Sequence, residues 1–260
     1  MSQRGELIFL GSGTSQGVPV IGCDCEVCMS KDIRDNRTRS SVHIQFAGLS
    51  LQIDTGPDFR TQMLREGLTH VDAVLFTHEH QDHVAGLDDV RPIIFRVRKE
   101  MALYGQQRVL DRIKKAFDYA FNAQPYPGAP SFTTTSIEAE LAFTINGVEV
   151  LPLGINHGNL PILGYRIGDT AYLTDVNDIP DEAMEQLSGL NYLILDALHR
   201  KEHYSHFNLT QAIEWATKIG ARHTYFIHMS HYMGKHEDVE KELPEGMQLS
   251  FDGLRIPVTI

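Results

Sequence analysis

The chain has 260 residues, of which 42% are hydrophobic and 22% are charged, as in an ordinary globular domain with a sizeable core. Its net charge of −11 argues against the broad basic face that DNA or long RNA requires, although bound dications would still admit a small phosphate-bearing ligand. The sequence contains neither an apolar signal core nor a long apolar run, so we expect a cytoplasmic protein without a membrane partner.

The first predicted strand, at residues 6–10, leads into a glycine-rich turn at 11–17. Neither nucleotide-binding fingerprint is met, because no Gly-Lys-Ser/Thr follows and no helix opens after a Gly-x-Gly-x-x-Gly pattern. We interpret the glycines as allowing tight backbone turns beside a site. A hairpin is predicted at 41–46 and 49–53, and it ends in Asp54, after which a turn leads into a helix.

An apolar run at 73–76 predicts a buried strand that leads directly into Thr77-His78-Glu79-His80-Gln81-Asp82-His83. The carboxyl end of a strand opens into a crevice held by a rigid sheet, which is how an α/β fold presents reactive side chains. Three histidines with acids at this density predict a metal-binding loop, in which Glu79 and Gln81 are spacers that face away.

The remaining elements alternate between strands and helices along the chain. We predict strands at 101–104, 141–145, 148–153, 163–167, 171–174, 192–195, 224–227 and twice within 247–260, and helices at 108–121, 180–187 and from a capping box at Asn208 to Gly220. The irregular stretch 124–130 is interpreted as an excursion near a site mouth. Strand pairs outnumber helices, which favours two mostly antiparallel sheets with helices outside, in one domain over 1–260.

Several polar residues share one situation, because each follows an apolar strand directly. They are Asp54, His78, His80, Asp82, His83, His157, Asp175 and His228. One such histidine alone is more often a capped structural residue, but this set supplies enough ligands for two ions. Imidazole and carboxylate together suit zinc, manganese or iron, and two divalent ions can bridge one hydroxide and clamp both oxygens of a displacement.

The order His-x-His-x-Asp-His, a lone histidine, a strand-end aspartate and a late strand-end histidine resembles the metallo-β-lactamase superfamily, from Gly11 to Gly253. The resemblance implies a four-layer αββα sandwich with a dinuclear centre. It assigns one metal to His78, His80 and His157, the second metal to Asp82, His83 and His228, and the bridging position to Asp175. Asp54 is then expected to order the ligand loop by hydrogen bonds without binding metal.

Within the superfamily the chain is more similar to tRNase Z-like phosphodiesterases. Asp175 stands where classical β-lactamases carry cysteine, and His206 precedes a helix at the position of an extra histidine near the scissile phosphate. A proton donor there would assist the leaving alkoxide, with an effect of roughly 10²–10⁴ on rate. His199 and His203 share this loop and are interpreted as structural, although His199 is placed where it could flank the pocket.

The three cysteines all lie in one short segment, as Cys23, Cys25 and Cys28. A closed structural zinc site needs four ligands, and His231 is the best candidate to complete a Cys₃His set that ties loop 23–28 to the strand of His228. The alternatives are three reduced cysteines that act as small hydrophobes, or a redox Cys-x-x-Cys pair. The cluster, Gly17-Val18-Pro19 and segment 228–231 are similar to PhnP-type phosphoribosyl cyclic phosphodiesterases of phosphonate breakdown.

These patterns predict a dinuclear metal-dependent phosphodiesterase for a small phosphodiester, cyclic ones included, with one additional structural zinc. A metal-bridging hydroxide would attack phosphorus, Asp82 would orient it, and His206 would assist the leaving group. The alternatives are an ester, lactone or thioester hydrolase, a tRNA 3′-processing endonuclease, and a non-catalytic metal-binding module. The acidic charge and the short 124–130 stretch disfavour tRNA. Arg91, Arg96 and Arg98 are candidates to clamp a terminal phosphate, but at least two of them are interpreted as solvated. A homodimer is compatible with the sequence.

Overall fold

The computed structural model describes residues 4–46, 48–122, 124 and 126–259. Strands are numbered along the chain as β1 Arg4–Gly11, β2 Ser41–Phe46, β3 Leu49–Ile53, β4 Ala73–Leu75, β5 Met101–Gly105, β6 Phe132–Ser136, β7 Phe143–Ile145, β8 Val148–His157, β9 Leu160–Ile167, β10 Thr170–Leu173, β11 Tyr192–Asp196, β12 His223–Ile227, β13 Met247–Leu249 and β14 Arg255–Thr259. The helices are α1 Phe59–Arg65, α2 Gln81–Val84, α3 Arg91–Val97, α4 Gln107–Ala116, α5 Asp118–Phe121, α6 Asp181–Glu185, α7 Leu209–Ile219 and α8 His236–Glu240.

The strands form two seven-stranded sheets, in the orders β14-β1-β2-β3-β4-β5-β6 and β13-β12-β11-β10-β9-β8-β7. The predicted pair of packed sheets with helices outside is confirmed. The balance of pairing differs from the expectation, because β3 to β6 and β10 to β13 are each joined by parallel pairs. The helices between these strands act as crossovers, and a crossover returns the chain in the same direction.

Alternating side chains of β1 show how the layers are built. Leu7 and Phe9 belong to the core between the two sheets, together with Tyr165 and Tyr172 of the second sheet. Ile8 and Leu10 point the other way, into the core beneath the helices of the first sheet. A third core packs the second sheet against its own helices. The alternation therefore produces the four layers.

Some local predictions need adjustment. The helix predicted at 108–121 is interrupted at Phe117, which leaves the helical region and separates α4 from α5. Strand β6 and helix α8 were not predicted, whereas the capping box at Asn208 is present with both of its hydrogen bonds. Pro125, inside the excursion predicted at 124–130, lies outside the described residues. Across the described ranges, no helix is both long and apolar enough to cross a membrane.

The ends of several strands meet at one edge of the sandwich. In the first sheet, β3 leads to Asp54 and β4 leads to the histidine-rich loop. In the second sheet, β10 leads to Asp175, β11 ends at Asp196 and β12 leads to His228. The parallel strands run in register, so their carboxyl ends bring these side chains to a common edge.

Candidate metal centre

The structure brings the seven predicted dinuclear ligands to this edge. The ligand atoms of His78, His80 and His157 lie within 4.8 Å of one another, and so do those of His78, His83 and Asp175. Asp82 joins the second group, with its Oδ2 3.3 Å from His83 Nε2. These two neighbouring groups of ligand atoms share His78, whereas the sequence assigns His78 to one metal alone and the bridging position to Asp175.

Asp54 supports the histidine-rich loop from inside the protein. Its carboxylate is fully buried and accepts hydrogen bonds from Thr77 N at 2.9 Å, Thr77 Oγ1 at 2.8 Å and His83 Nδ1 at 2.7 Å. Because Nδ1 of His83 carries the donated proton, Nε2 keeps its lone pair and faces the centre. Asp54 thus holds the ring in the tautomer and orientation that a metal ligand needs.

The other buried imidazoles are oriented in the same manner. His157 Nδ1 donates to the carbonyl of Ser205 at 2.8 Å, and His78 Nδ1 lies 2.9 Å from Thr77 Oγ1. His228 Nε2 lies 3.2 Å from Thr14 Oγ1, which comes from the glycine-rich turn. In each ring the outer nitrogen has a protein partner, and the inner nitrogen faces the centre, where Nε2 of His78 lies 2.9 Å from Nδ1 of His80.

Two buried ring nitrogens without a hydrogen-bond partner among the described residues indicate that a cation binds here. Within the described residues, His83 Nε2 and His228 Nδ1 are buried and have no hydrogen-bond partner. They lie 3.3 and 3.2 Å from the same oxygen, Oδ2 of Asp175. An unpaired buried polar atom is costly, and lone pairs converging on a shared carboxylate are the donor set of a divalent transition metal. The residues therefore fit the metals that the sequence implied.

Burial and the nearby carboxylates act in opposite directions on the pKa values of the buried histidines at this edge. Burial alone would lower the pKa of His83, but the carboxylates of Asp175, Asp82 and Asp54 raise the pKa well above its ordinary value. Burial lowers the pKa of His228 to about 3, because its ring is enclosed and next to other imidazoles. Burial opposes ionisation of Asp175, yet His228 and His83 hold its pKa well below the ordinary range.

Three residues of the site adopt a left-handed backbone that side chains rarely occupy. Asp54, Asp175 and His228 have φ angles of 61°, 57° and 65°. Each lies directly after a strand, where the turn aims its side chain across the end of the sheet. Such conformations cost of the order of 1–3 kcal/mol each and persist where the surroundings impose them, often at functional sites.

His206 lies against the ligands and is paired with a buried acid. Its Nδ1 is 3.3 Å from Oδ1 of Asp196, and its ring stacks on His228 with centroids 4.9 Å apart. Burial lowers the pKa of His206, but the Asp196 carboxylate outweighs this and raises it to about 9. The imidazole can therefore carry a proton at neutral pH. The sequence prediction missed Asp196 as a site residue, although it occupies a strand end like Asp54 and Asp175.

Glu79 makes a contact that the sequence did not predict. Its carboxylate pairs with Arg108 of α4, whose guanidinium also donates to Gln106 Oε1 at 2.9 Å and to the carbonyl of Pro161. Arg108 thereby ties the histidine-rich loop to β9. The arginines considered as phosphate clamps lie elsewhere: Arg91 pairs with Asp88, Arg96 lines a groove beside α1, and Arg98 ends α3.

Two adjoining cavities open beside the ligands. The smaller, of about 260 Å³, is bordered by Asp82, Asp175, His206 and His228. The larger, of about 590 Å³, is bordered by residues that follow β8 and β10, among them Gly158 and Asn177. His80, His157, Tyr204 and Ser205 border both. The ligands therefore face a space that a substrate can enter, as an open catalytic site requires.

The cysteine cluster forms a second, separate group of ligands. His231 Nδ1 lies 3.3, 3.4 and 3.5 Å from the sulfurs of Cys23, Cys25 and Cys28. A tetrahedral zinc, with Zn–S about 2.3 Å and Zn–N about 2.0–2.1 Å, would hold sulfur and nitrogen about 3.5 Å apart. The four residues fit such an ion without rearrangement.

Backbone amides support two of the thiols. The amide of Cys28 donates to Cys25 Sγ at 3.4 Å, and that of Val20 donates to Cys28 Sγ at 3.3 Å. The Cys28 amide, with His231, lowers the pKa of Cys25 to about 6, whereas burial raises that of Cys28 to about 11. Hydrogen bonds of this kind stabilise thiolates, which are the form that binds zinc.

Comparison with known proteins places this arrangement in context. The family model described as a beta-lactamase superfamily domain matches residues 51–229. Octanoyltransferase of Porphyromonas gingivalis is 45% identical over 249 residues, which are 95% of this chain and 50% of that protein. The chain thus spans about half the length of this curated relative.

Solved structures extend the likeness over the whole chain. A structure described as a new diphosphatase from the PhnP family is 42% identical, with a TM-score of 0.94, and the match covers 100% of this chain and 99% of that one. The short form of human tRNase Z is 16% identical, with a TM-score of 0.73 and coverage of 96% and 98%. The second likeness concerns the fold alone.

Proposed function

Because the chain belongs to the metallo-β-lactamase superfamily, we propose that it is a metal-dependent phosphodiesterase that hydrolyses a small phosphodiester, cyclic phosphodiesters included. The superfamily fold implies divalent metals and a hydrolytic reaction. The finer assignment, a dinuclear centre acting on phosphorus, rests on the arrangement of this chain's own side chains. One observation carries it: the His206–Asp196 pair lies beside unpartnered, inward-facing ligand nitrogens at an open cavity.

The proposed centre divides its ligands between two ions. His78, His80 and His157 would hold one, and Asp82, His83 and His228 the other. Asp175 would serve both, because its ligand atom lies within 4.8 Å of those of His78 and His157 as well as that of His83. When bound, two divalent ions supply an activated water and neutralise charge on the phosphoryl oxygens. Zinc, manganese and iron all suit this ligand set.

The protein's own groups then act around phosphorus. Asp82 borders the smaller cavity and can accept a hydrogen bond from the attacking water, which orients it. His206 borders the same cavity and can donate its proton to the leaving oxygen, while Asp196 holds the opposite ring nitrogen. Asp196 raises the pKa of this imidazole and so favours the protonated form of the donor.

The PhnP-family diphosphatase supports chemistry at phosphorus. The phosphorus of a diphosphate that is substituted at both ends, like that of a phosphodiester, has two substituted and two non-bridging oxygens, so one centre can bind either. They differ in the leaving group, since a phosphate leaves more readily than an alkoxide. The His206 proton therefore matters more for a phosphodiester with an alkyl leaving group.

We propose a separate structural zinc at Cys23, Cys25, Cys28 and His231. The sulfur–nitrogen distances of 3.3–3.5 Å and the amide hydrogen bonds to two of the sulfurs support it. The cluster borders neither of the two cavities, so it would act on stability and positioning and not on the substrate.

The leaving group provides the test of the reaction. Protein loaded with Mn²⁺ should hydrolyse both bis-p-nitrophenyl phosphate and an alkyl phosphodiester. His206→Ala should lower kcat for the alkyl ester by roughly 10²–10⁴, and much less for the nitrophenyl ester, whose leaving group needs no proton. His223→Ala, at the opposite end of β12, is the matched control and should change neither. An equal loss on both esters would contradict the proton-donor role.

A second candidate is hydrolysis of a carboxylic ester or thioester by the same residues. The relative called octanoyltransferase favours it, because that name describes transfer of an acyl group. The match covers only half of that protein, so the other half can account for the name. Assays of a lactone and an octanoyl thioester beside the phosphodiesters separate the two candidates. Robust thioester hydrolysis without phosphodiester turnover would replace our proposal with this one.

A further inference from the structure

The larger cavity differs in chemistry from the smaller one. Of its eight described lining residues, none is a lysine, arginine, aspartate or glutamate. The arginines considered as clamps for a terminal phosphate lie away from it, in contact with Asp88, beside α1 and at the end of α3. A substrate group that carried its own charge would find no counter-charge here beyond the metal ligands. The part of the substrate that enters this cavity is therefore expected to be neutral.

The cavity wall offers amide groups for hydrogen bonding. Asn177 and Asn159 both border it. Oδ1 of Asn177 accepts a hydrogen bond from Gly158 N at 2.6 Å, which orients this side chain and leaves its NH₂ group to donate. Asn159 is exposed, and its amide can both donate and accept. A neutral ligand with ring nitrogens or carbonyl oxygens matches these groups.

Tyr204 provides a flat surface where the two cavities join. It borders both, and 82% of its surface is exposed, so its ring is available to a ligand. His203 packs against it with centroids 4.8 Å apart and an interplanar angle of 35°. Exposed aromatic rings that border a phosphate-binding site are typical platforms for the stacking of bases.

Gly158 allows Tyr204 to lie close to the cavity wall. Its φ of +62° is a left-handed conformation that favours glycine. A Cβ at this position would meet Ser205 Cβ at 3.3 Å and two ring carbons of Tyr204 at 3.6 Å. A larger residue would therefore crowd the segment that carries Tyr204 and His206, so the local backbone suits the position of the ring.

We propose that Tyr204 determines specificity by stacking on a neutral planar ring of the substrate, such as a nucleobase, which the larger cavity accommodates. The inference rests on the proposed function, because the scissile phosphate then occupies the smaller cavity beside His206. Asn177 and Asn159 contact the edge of the ring. The substrate class is accordingly a nucleoside phosphodiester in which the phosphate and the base are separated by the sugar.

A pair of cyclic esters tests this. Adenosine 2′,3′-cyclic phosphate and glycerol 1,2-cyclic phosphate present similar five-membered phosphodiesters, and only the first carries a base. Wild-type holoenzyme should show the lower KM for the adenosine ester. Tyr204→Ala should raise that KM about 5–150-fold, the range expected for loss of one base–aromatic stack, with kcat nearly unchanged. Tyr204→Phe should restore it, and neither variant should alter the KM for the glycerol ester.

Tyr232→Ala is the matched control, since Tyr232 is also strongly exposed but borders neither cavity. Equal KM values for the two esters in the wild type, or equal shifts for both in Tyr204→Ala, would overturn the stacking role while hydrolysis itself stands. If no phosphodiester is turned over, the proposed function fails. Binding of adenosine monophosphate and glycerol 1-phosphate to the holoenzyme then decides the inference: equal affinity, or no effect of Tyr204→Ala, rejects it.

Discussion

The two groups of metal ligands are joined by one short segment and yet are built on different principles. His228 and His231 are three residues apart after β12, and one faces the proposed dinuclear centre while the other faces the cysteines. The first group is largely buried, although His80 is exposed and Asp82 is half-buried, and it combines nitrogen with oxygen ligands from both sheets. The second is half-exposed and takes three sulfurs from a single loop.

The difference lies in what surrounds the ligands. At the proposed dinuclear centre the outer nitrogens of His83, His78, His157 and His228 are bonded to Asp54, Thr77, Ser205 and Thr14, respectively. The ligands face an open cavity. The cysteine cluster has four ligands already close enough to enclose an ion, so no position remains for a substrate. Openness therefore separates the catalytic from the structural role more clearly than ligand count does.

The largest difference between the two groups is expected when the Asp175 carboxylate, which lies against both His83 and His228, is removed. Asp175→Asn replaces this charged carboxylate with a neutral amide, which binds metal less well. Activity should therefore fall by roughly 10³-fold or more. Metal analysis should show loss from the dinuclear centre, whereas one zinc equivalent per chain remains at the cysteines. Loss of all metal in this variant would show that the two groups are not independent.

A smaller effect is expected when only the orientation of a ligand is disturbed. Asp54→Asn keeps the shape of the side chain but weakens its hydrogen bond to His83 Nδ1, which should lower activity or metal affinity about 10–100-fold. Titration of the apoprotein with Zn²⁺ measures the affinity directly. Asp72→Asn, which alters a carboxylate bonded to Ser50 and His70, is the control and should retain wild-type affinity. An unchanged affinity for Asp54→Asn would remove its proposed supporting role.

The cysteine cluster should affect stability more than chemistry. Cys25→Ser replaces one of the four ligands, so the variant should lose one zinc equivalent and unfold at a lower temperature. With the dinuclear centre loaded, kcat should stay within about tenfold of the wild type, because the cluster borders neither cavity. A loss as large as that of Asp175→Asn would identify these cysteines as part of the catalytic machinery.

Lowering the pH should reduce the free energy of unfolding through a histidine that belongs to neither group of metal ligands. Burial lowers the pKa of His43 in β2 to about 4. When the pH falls below the pKa of this residue in the unfolded chain, the unfolded chain therefore binds a proton that the folded chain does not bind. This contribution to stability is present above about pH 6.5 and is lost as pH falls towards 4, by about 2 kcal/mol between pH 7 and pH 5. The activity at pH 7 should not depend on His43.

Chemical unfolding at the two pH values measures this difference. His43→Asn should lose less stability on acidification than the wild type, since both release their metals but only one carries the buried imidazole. His223→Asn, a half-exposed histidine of β12, should behave like the wild type. An identical pH dependence in all three proteins would exclude His43 as the source.

The ligand set could be predicted because each member has a local signature. His78, His83, Asp175 and His228 all follow apolar strands, and the order of residue types carries the rest. Asp196 shows the limit of this reasoning. It also ends a strand, but its role depends on the position of His206, ten residues further on, and a strand-end aspartate alone does not distinguish a ligand from a partner.

Long-range contacts could not be predicted in the same way. Arg108 reaches Glu79 across 29 residues and Pro161 across 53, and no local pattern encodes such a reach. The parallel pairs were underestimated for a related reason. Whether two strands pair in parallel depends on the path of the helix between them, and periodicity within a strand carries no information on that path.

The distance along the chain between the cysteines and their histidine bears on the order of events during synthesis. Cys23 and His231 are separated by 208 residues, and the ligands of the dinuclear centre extend from the first sheet to His228. The three thiols leave the ribosome early, and their fourth ligand is synthesised only after the strands up to β12. Closure of so long a loop is entropically unfavourable until the sheets dock. Metal loading at either group therefore reports that nearly the whole chain has folded.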